Sequence, residues 1–421
     1  MLDRTQEPPI QKIRSLNYIY PETFTSGSDM FEWAGLYSDR HPIVKLEFLL
    51  PVHKFLSDNV LVPALLARLF GRTTATYSTE ALAEKIDFYG ISYRVSIGDE
   101  YTGISFYALS KFATPMLELA FDIMTRTVID RKEFEVELQR SRYSFHVNME
   151  KTDYVARREF YRSLLDGYKV LQENDFDKIS IEDCRYFYEQ YFSIRDAVIV
   201  LSGHYEETHV QQVRNFLQIY PNKEKIPGDK QPLPRVNLSY KCVEKQNAKQ
   251  STVVTGCVTI NRKHPDYFKL AVANTVLGGY FGSRLSRNIR EDKGYTYGVF
   301  STITQRKDFG IFRIESDIGS EYREEYMKEV KKEIERLKNE PVPENELELV
   351  KNYIGGTLLS GFDGVFEQAS LYASLRMVGL DFGYYDRLLE NLDTITGKDI
   401  MEVVTRFLDF DKMVKIVAGT C

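Results

Sequence analysis

Histidine is scarce in this chain, and the spacing of what there is excludes a chemistry. Six of 421 residues are histidine: His41, His53, His146, His204, His209 and His264. No two stand four apart, so no helix carries the paired imidazoles of a helical zinc site. His204 and His209 are five apart after an apolar run and read as surface loop and helix residues. The four cysteines, Cys184, Cys242, Cys257 and Cys421, form no C-x-x-C and no disulfide framework. That usage suits a reducing compartment and leads us to expect a cytoplasmic protein. No run of 18 apolar residues occurs, and the first 16 residues lack an apolar signal core, so neither a membrane span nor a secretory leader is expected. Basic residues do not dominate: 55 Lys and Arg face 61 Asp and Glu, for a net charge of −6, which argues against bulk nucleic-acid binding. There is no G-x-S-x-G, and the glycines of GGYFGS are not followed by Gly-Lys-Ser/Thr, so a phosphate loop is not indicated. Cys257, inside STVVTGCVTI, reads as core rather than nucleophile.

What is present is a well-mixed globular composition, 43% hydrophobic and 13% aromatic. The length exceeds what one core usually serves, so two or more domains are expected. Residues 1–28 read as an irregular arm. Strands are indicated over 31–37 and 43–50, an apolar helix over 60–70, and a second helix, capped at Ser78 or Thr79, running to Gly90. A hairpin follows around Asp99-Glu100, then helices near 113–126, 131–148 and 152–166. Ser180-Ile-Glu-Asp183 has the form of a capping box opening a helix to about 192, and AVIVLSG reads as a buried strand. Residues 221–234 hold four of the fourteen prolines amid Lys and Glu, the clearest linker in the chain.

A linker near the midpoint prompts a search for a repeat. ISIEDCRYFYEQYFSIRDAVIVLSG closes the first half and ITGKDIMEVVTRFLDFDKMVKIVAG the second. Ser180 matches Thr396 and Gly203 matches Gly419, both offset by 216 (396 − 180 and 419 − 203). We therefore expect an α+β protein of two homologous α/β-sandwich domains, each a mixed or antiparallel sheet with helices on one face. Their extents would be 1–220 and 237–421, joined by a linker over 221–236. The same offset carries Pro63–Phe70 onto Gly279–Ser286 and pairs those two stretches.

The densest stretch is 278–301, GGYFGSRLSRNIREDKGYTYGVFS. An apolar helix over 266–277 runs into its glycine pair, a basic helix follows over 283–290, and a strand begins at 295–297. Glycine permits close backbone approach, and Arg and Tyr present donors, so the grouping suits a binding surface as well as a capped helix and a solvated turn. In the second half Tyr322, Tyr326, Val330, Ile334 and Leu337 fall on one helical face, ordinary amphipathic packing. Pro343 opens a further helix.

From about residue 31 to the end, the chain resembles the pitrilysin/insulinase family of zinc peptidases, the inverzincins. SRLSRNIREDKGYTYGVFS is similar to the family's second-domain signature, S-R-L-x-x-x-I-R-E-x-x-G-x-x-Y. An Arg and a Tyr seven residues later line the substrate cleft in that family; the matching positions are Arg290 and Tyr297. The family's H-x-x-E-H helix corresponds here to Ala64-Leu65-Leu66-Ala67-Arg68. Both His positions, Ala64 and Arg68, and the base position, Ala67, are lost. Arg68 would set a positive charge where a dication sits. The third ligand position falls at Asn148, with Glu150 close by.

The resemblance implies a non-catalytic subunit of a heterodimeric insulinase-like metallopeptidase. A homologous partner chain bearing H-x-x-E-H would hold the zinc, and this chain none. Two such chains would close around an unfolded peptide, with Arg290 and Tyr297 aimed at the partner's zinc site; neither nucleic acid nor membrane is an expected partner. A strand near 250–258 is the candidate edge for an extended peptide. Three alternatives stand beside this. The chain is an inactive scaffold or peptide-binding pseudoenzyme acting as a homodimer; Arg290 and Tyr297 merely hold the turn, through Glu291 or Asp292; or an unlisted metal site, such as His146 with Glu150, supports peptidase activity.

Overall fold

The computed structural model describes residues 13, 15–26, 31–51, 57–98, 100–220, 233–235, 240–246 and 248–421. Most of the expected linker, residues 221–232 and 236, lies outside these, as do His53 and Asp99. The first half contributes strands β1 (Glu22–Ser26), β2 (Phe31–Tyr37), β3 (Ile43–Pro51), β4 (Ser92–Ile97), β5 (Tyr101–Leu109), β6 (Leu165–Asp166) and β7 (Val198–Gly203). Its helices are α1 (Leu61–Leu69), α2 (Thr79–Phe88), α3 (Ala113–Arg126), α4 (Arg131–Met149), α5 (Thr152–Leu164), α6 (Asp175–Lys178), α7 (Ile181–Tyr191) and α8 (Glu207–Ile219). The second half supplies β8 (Leu233–Pro234), β9 (Tyr240–Glu244), β10 (Gln250–Thr259), β11 (Thr296–Gln305), β12 (Gly310–Gly319) and β13 (Val414–Gly419). Its α-helices are α9 (Tyr267–Asn274), α10 (Arg323–Asn339), α11 (Glu344–Gly361), α12 (Val365–Met377), α13 (Tyr384–Thr394) and α14 (Gly397–Phe407).

Two mixed sheets organise the chain, with strand orders β1-β2-β7-β3-β5-β4 and β9-β13-β10-β12-β11. The pairs β2–β7 and β9–β13 are parallel, and the remaining pairs within both sheets are antiparallel. The expected α+β architecture of two equivalent halves is the observed one. The arm is not wholly irregular, since β1 pairs with β2. Ahead of it, Leu16 is buried in the second-half core and the Tyr18 hydroxyl donates to Asp386 at 2.9 Å.

The repeat is real, but its offset drifts. Leu46 pairs with Leu201, and Val253 with Val417, so the central strands are displaced by 207 (253 − 46) while their partners are displaced by 216 (417 − 201). The short 3-10 turns Ser110–Phe112 and Ser320–Tyr322 are offset by 210, α5 and α12 by 213 (365 − 152), and α7 and α14 by 216 (397 − 181). Insertions in the second half's connections account for the growth. Pro63–Phe70 therefore corresponds to 270–277, the end of α9 and the start of the turn after it, and not to Gly279–Ser286. The helical turn at Ser286–Asp292 corresponds instead to the start of α2 (286 − 207 = 79). Both capping boxes are present: Ser180 with Asp183, and Thr396 with Asp399.

Helices lie on both faces of each sheet, not on one. The inward residues Val44, Leu46 and Phe48 of β3 and Ile199 and Leu201 of β7 share a core with α3 and α8. The opposite face, carrying Ala34, Leu36 and Val200, is covered by α12 from the other half through Val365, Ala369 and Tyr372. The exchange is reciprocal. Val155, Ala156, Phe160 and Leu164 of α5 pack on Val254, Ile416 and Ala418 of the second sheet. Ala156 and Ala369 are repeat equivalents (369 − 156 = 213), both fully buried, where a small side chain lets the helix approach the sheet. Each half thus holds one helix belonging in sequence to the other. Polar contacts follow the exchange: Lys45 Nζ donates to Ser370 Oγ at 3.1 Å, and Arg376 pairs with Glu32. The described linker residues are docked as well, β8 pairing with β6.

Two further expectations are overturned. β10, the suggested peptide edge, is paired on both sides, by β12 and β13, and has no free edge. Cys242 of β9 and Cys421 form a disulfide with a Cα–Cα distance of 5.9 Å. Their 179-residue separation hides the pair from any spacing rule, and its presence removes the cysteine argument for a reducing compartment. No helix among the described residues is long and apolar enough to cross a membrane.

Candidate functional site

The stretch at 278–301 is built as a clasp. α9 passes into a π-helical turn, Thr275–Gly279, and a second π-helical segment spans Ser286–Asp292. Such winding is uncommon and recurs at functional sites. A Cβ on Gly278 would lie 2.7 Å from Ser301 Oγ and 2.9 Å from Ser301 N, so only glycine lets this turn meet β11. Beside it, Ser301 Oγ donates to the Asn274 carbonyl at 3.2 Å. Gly294 takes φ +67° to end the second π-segment, a left-handed residue at a helix C-terminus. β11 then enters the sheet edge through a register shift between Thr296 and Val299.

Within the clasp the polar side chains divide by task. Arg284 is buried and makes a two-pronged pair with Glu346 of α11, at 2.9 and 2.8 Å. Asn288 donates to Glu329 and Glu333 of α10 at 2.9 and 2.7 Å, and this bond leads in holding the Glu329 carboxyl below its ordinary range. Both anchor the clasp, and neither was singled out from sequence; their partners stand 41 to 62 residues away.

Arg290 and Tyr297 are placed differently. The Arg290 guanidinium stacks on Phe281, 3.5 Å from the ring centroid, and Nη2 donates to Glu291 at 2.5 Å. Its Nε is buried without a hydrogen-bond partner among the described residues. Tyr297 is 93% exposed at the irregular start of β11. It lines a cavity of about 530 Å³ with Phe300, Arg313, Glu315, Asp317 and Arg157, among others. Arg290 is not among that cavity's lining residues.

Ala64 and Ala67 line a second cavity, of about 640 Å³, largely apolar and bounded by α1, β4, β5, α5 and α7. Arg157 of α5 lines both cavities, so the degenerate helix and Tyr297 face adjoining spaces. Arg68 is exposed and lines an adjoining cleft with Arg72, Glu137 and Arg140. Asn148 Oδ1 accepts from Lys151 Nζ at 3.1 Å. A catalytic zinc needs three protein donors in reach. Ala64 and Ala67 offer none, Arg68 brings positive charge, and a lysine occupies the amide oxygen of Asn148. These residues do not fit zinc. Among the described residues no group of three or more His, Cys, Asp or Glu converges elsewhere.

The remaining sequence candidates separate as well. His146 faces Glu173 at 3.4 Å, while Glu150 faces Lys245 at 3.5 Å, so the two are engaged by different partners. His209 is not a surface residue: it is buried, accepts from Glu206 N at 2.9 Å, and is held below the ordinary histidine range by burial. Cys257 points its thiol at the Phe407 carbonyl, and burial pushes its pKa up to about 12, an inert core thiol.

The fold and the clasp together define a chain of two equivalent α+β halves with a signature loop in the second and a donor-free helix in the first. Comparison with known proteins shows what the chain is similar to. Residues 178–354 match the family described as the peptidase M16 inactive domain. The chain is 23% identical over 310 residues to YmxG, an uncharacterized zinc protease of Bacillus subtilis, covering 72% of this chain and 75% of that protein. It superposes on the peptidase M16 inactive domain from Pseudomonas fluorescens with a TM-score of 0.84 and 20% identity, covering 95% and 98% of the two chains. It also superposes on PqqL, a periplasmic protease of Escherichia coli, with a TM-score of 0.79 and 14% identity, covering all of this chain and 48% of PqqL. Over residues 178–354 the chain is thus similar to the peptidase M16 inactive domain, and its fold is that of the solved M16 chains.

Proposed function

We propose that this chain is the non-catalytic subunit of a two-chain insulinase-like metallopeptidase, binding peptide and presenting Arg290 and Tyr297 to the zinc site of an H-x-x-E-H-bearing partner. One contrast carries the reading. The helix that would bind zinc has no donor at Ala64 or Ala67, while Tyr297 stands 93% exposed on a sheet edge and fills no core. Amide hydrolysis develops negative charge on the carbonyl oxygen, and fixed donors aimed there lower the barrier. A permanently charged guanidinium and a phenolic hydroxyl are such donors. β11, paired only with β12 among the described residues, has a free edge for an extended peptide. The Cys242–Cys421 disulfide favours an oxidising compartment for the complex.

The contact of Arg290 with Glu291 and Phe281 favours a second reading, a homodimeric scaffold in which the arginine only holds its turn. Mixing separates the two. With a zinc-motif relative, the first reading gives peptidase activity that neither chain has alone. Arg290→Ala or Tyr297→Phe then lowers turnover on the order of 10²–10³-fold. Full activity in both variants refutes the donor role, and one tightly bound zinc per isolated chain refutes the non-catalytic assignment.

A further inference from the structure

We propose that the 640 Å³ cavity beneath α1 is a binding site for a long-chain carboxylate, a straight alkyl chain with an anionic head. The size falls within the roughly 300–1,000 Å³ of small-molecule sites. Leu61, Leu66, Phe70, Ile104, Phe187 and Phe192 supply apolar wall, and the short side chains of Ala64 and Ala67 leave the space open. The polar lining is unbalanced. Arg157, Arg158 and Lys169 line the cavity, with Thr102, Tyr154 and Tyr161, and among the described residues no carboxylate or side-chain amide does. Among the described lining side chains cations are present and anions are not, which favours an anionic head. A peptide fits poorly, because each residue brings an N–H that must find an acceptor.

The cations are not equivalent. Arg157 is committed to Glu315 and Asp153, and Lys169 lies 3.4 Å from Asp58. Arg158 has no ion-pair carboxylate among the described residues; it donates to the Leu171 carbonyl and lies against Met149 Sδ at 3.8 Å. A guanidinium has five N–H donors, so capacity remains for a carboxylate. The structure therefore places the head at Arg158 and the chain under α1. This site is independent of the peptidase reading and needs neither zinc nor a partner.

Calorimetric titration of the purified chain with octanoate, decanoate and dodecanoate, below micelle-forming concentrations, tests it. Saturable one-to-one binding is expected, tightening about fourfold per added methylene. The matching alkanols should bind more weakly, and Arg158→Gln should weaken the carboxylates at least tenfold while leaving the alkanols unchanged. Ala67→Phe should abolish binding, with its circular dichroism spectrum confirming the fold. Equal affinity for alkanol and carboxylate, no gain with chain length, undiminished binding in a folded Ala67→Phe, or a blocked trileucine amide binding as tightly as dodecanoate would each overturn the proposal.

Discussion

Replacing Phe160 by alanine tests the reciprocal helix exchange at its most loaded point. Phe160 belongs to the first half in sequence, yet its fully buried ring packs with Val254 and Ile416 of the second sheet. Its Cζ lies 3.0 Å from where a Cβ on Gly256 would stand, so the ring rests directly on the β10 backbone. Truncating a buried phenylalanine costs about 3–5 kcal/mol, transfer and cavity together. Against a total stability on the order of 5–15 kcal/mol, that is a large share. The assay is urea unfolding followed by two probes. Trp33, the single tryptophan, is buried in the first sheet and reports that half by fluorescence; far-UV circular dichroism reports the whole chain. If α5 and α12 tie the halves into one cooperative unit, Phe160→Ala lowers both midpoints together, although the lost contacts are on the other sheet. An unchanged Trp33 midpoint beside a shifted dichroism midpoint refutes the coupling, and a total loss below about 1 kcal/mol refutes the packing argument.

The remaining predictions concern single contacts. Without reductant the native chain should show essentially no thiol reactive to Ellman's reagent, because Cys184 is buried and burial pushes Cys257 up to about 12; reduction should expose two, and Cys421→Ser should cost about 2–4 kcal/mol. Asp399 is raised by burial but lowered further by hydrogen bonds from Lys269 and from the Thr396 side chain and backbone, for a net pKa of about 2. A depressed folded pKa stabilises above the unfolded value, so the wild-type advantage over Asp399→Asn, on the order of 1 kcal/mol, should be full above pH 4 and lost as pH falls through 2 in chemical denaturation series. Gly278→Val should cost about 1–3 kcal/mol, since its Cβ would meet Ser301 backbone at 2.9 Å; a neutral melt would show that the clasp can open there.

What the sequence made legible was local. The capping boxes at Ser180 and Thr396 close within three residues, and helix and strand periodicities repeat within one element, so both could be read directly. The exchanged helices could not. The residues that tie α5 to β13 are separated by some 250 positions, and an apolar helix face does not state which sheet it covers. The repeat misled in the same way: an ungapped match over its last strand and helix fixed an offset of 216, while insertions after β10 had raised it there from the 207 that relates the central strands. The cysteine argument failed because spacing rules see only near neighbours.

The clasp shows why the half that carries Arg290 and Tyr297 was the hardest to read. Arg284, Asn288 and Arg290 look alike in sequence, polar residues on a basic helix. Their partners divide them: Arg284 and Asn288 are held by acids on α11 and α10 that fix the position of the loop, and such contacts are expensive to leave half-made. A loop held that firmly does not need a further aromatic ring in solvent to keep its shape. Tyr297 is therefore the residue whose placement packing leaves unexplained, and Phe281 and Glu291 keep the Arg290 guanidinium oriented without burying it in an acid cage. A loop that anchors Arg284 to α11 and Asn288 to α10 while Tyr297 stays exposed would hold that ring steady, as the proposed donor role requires.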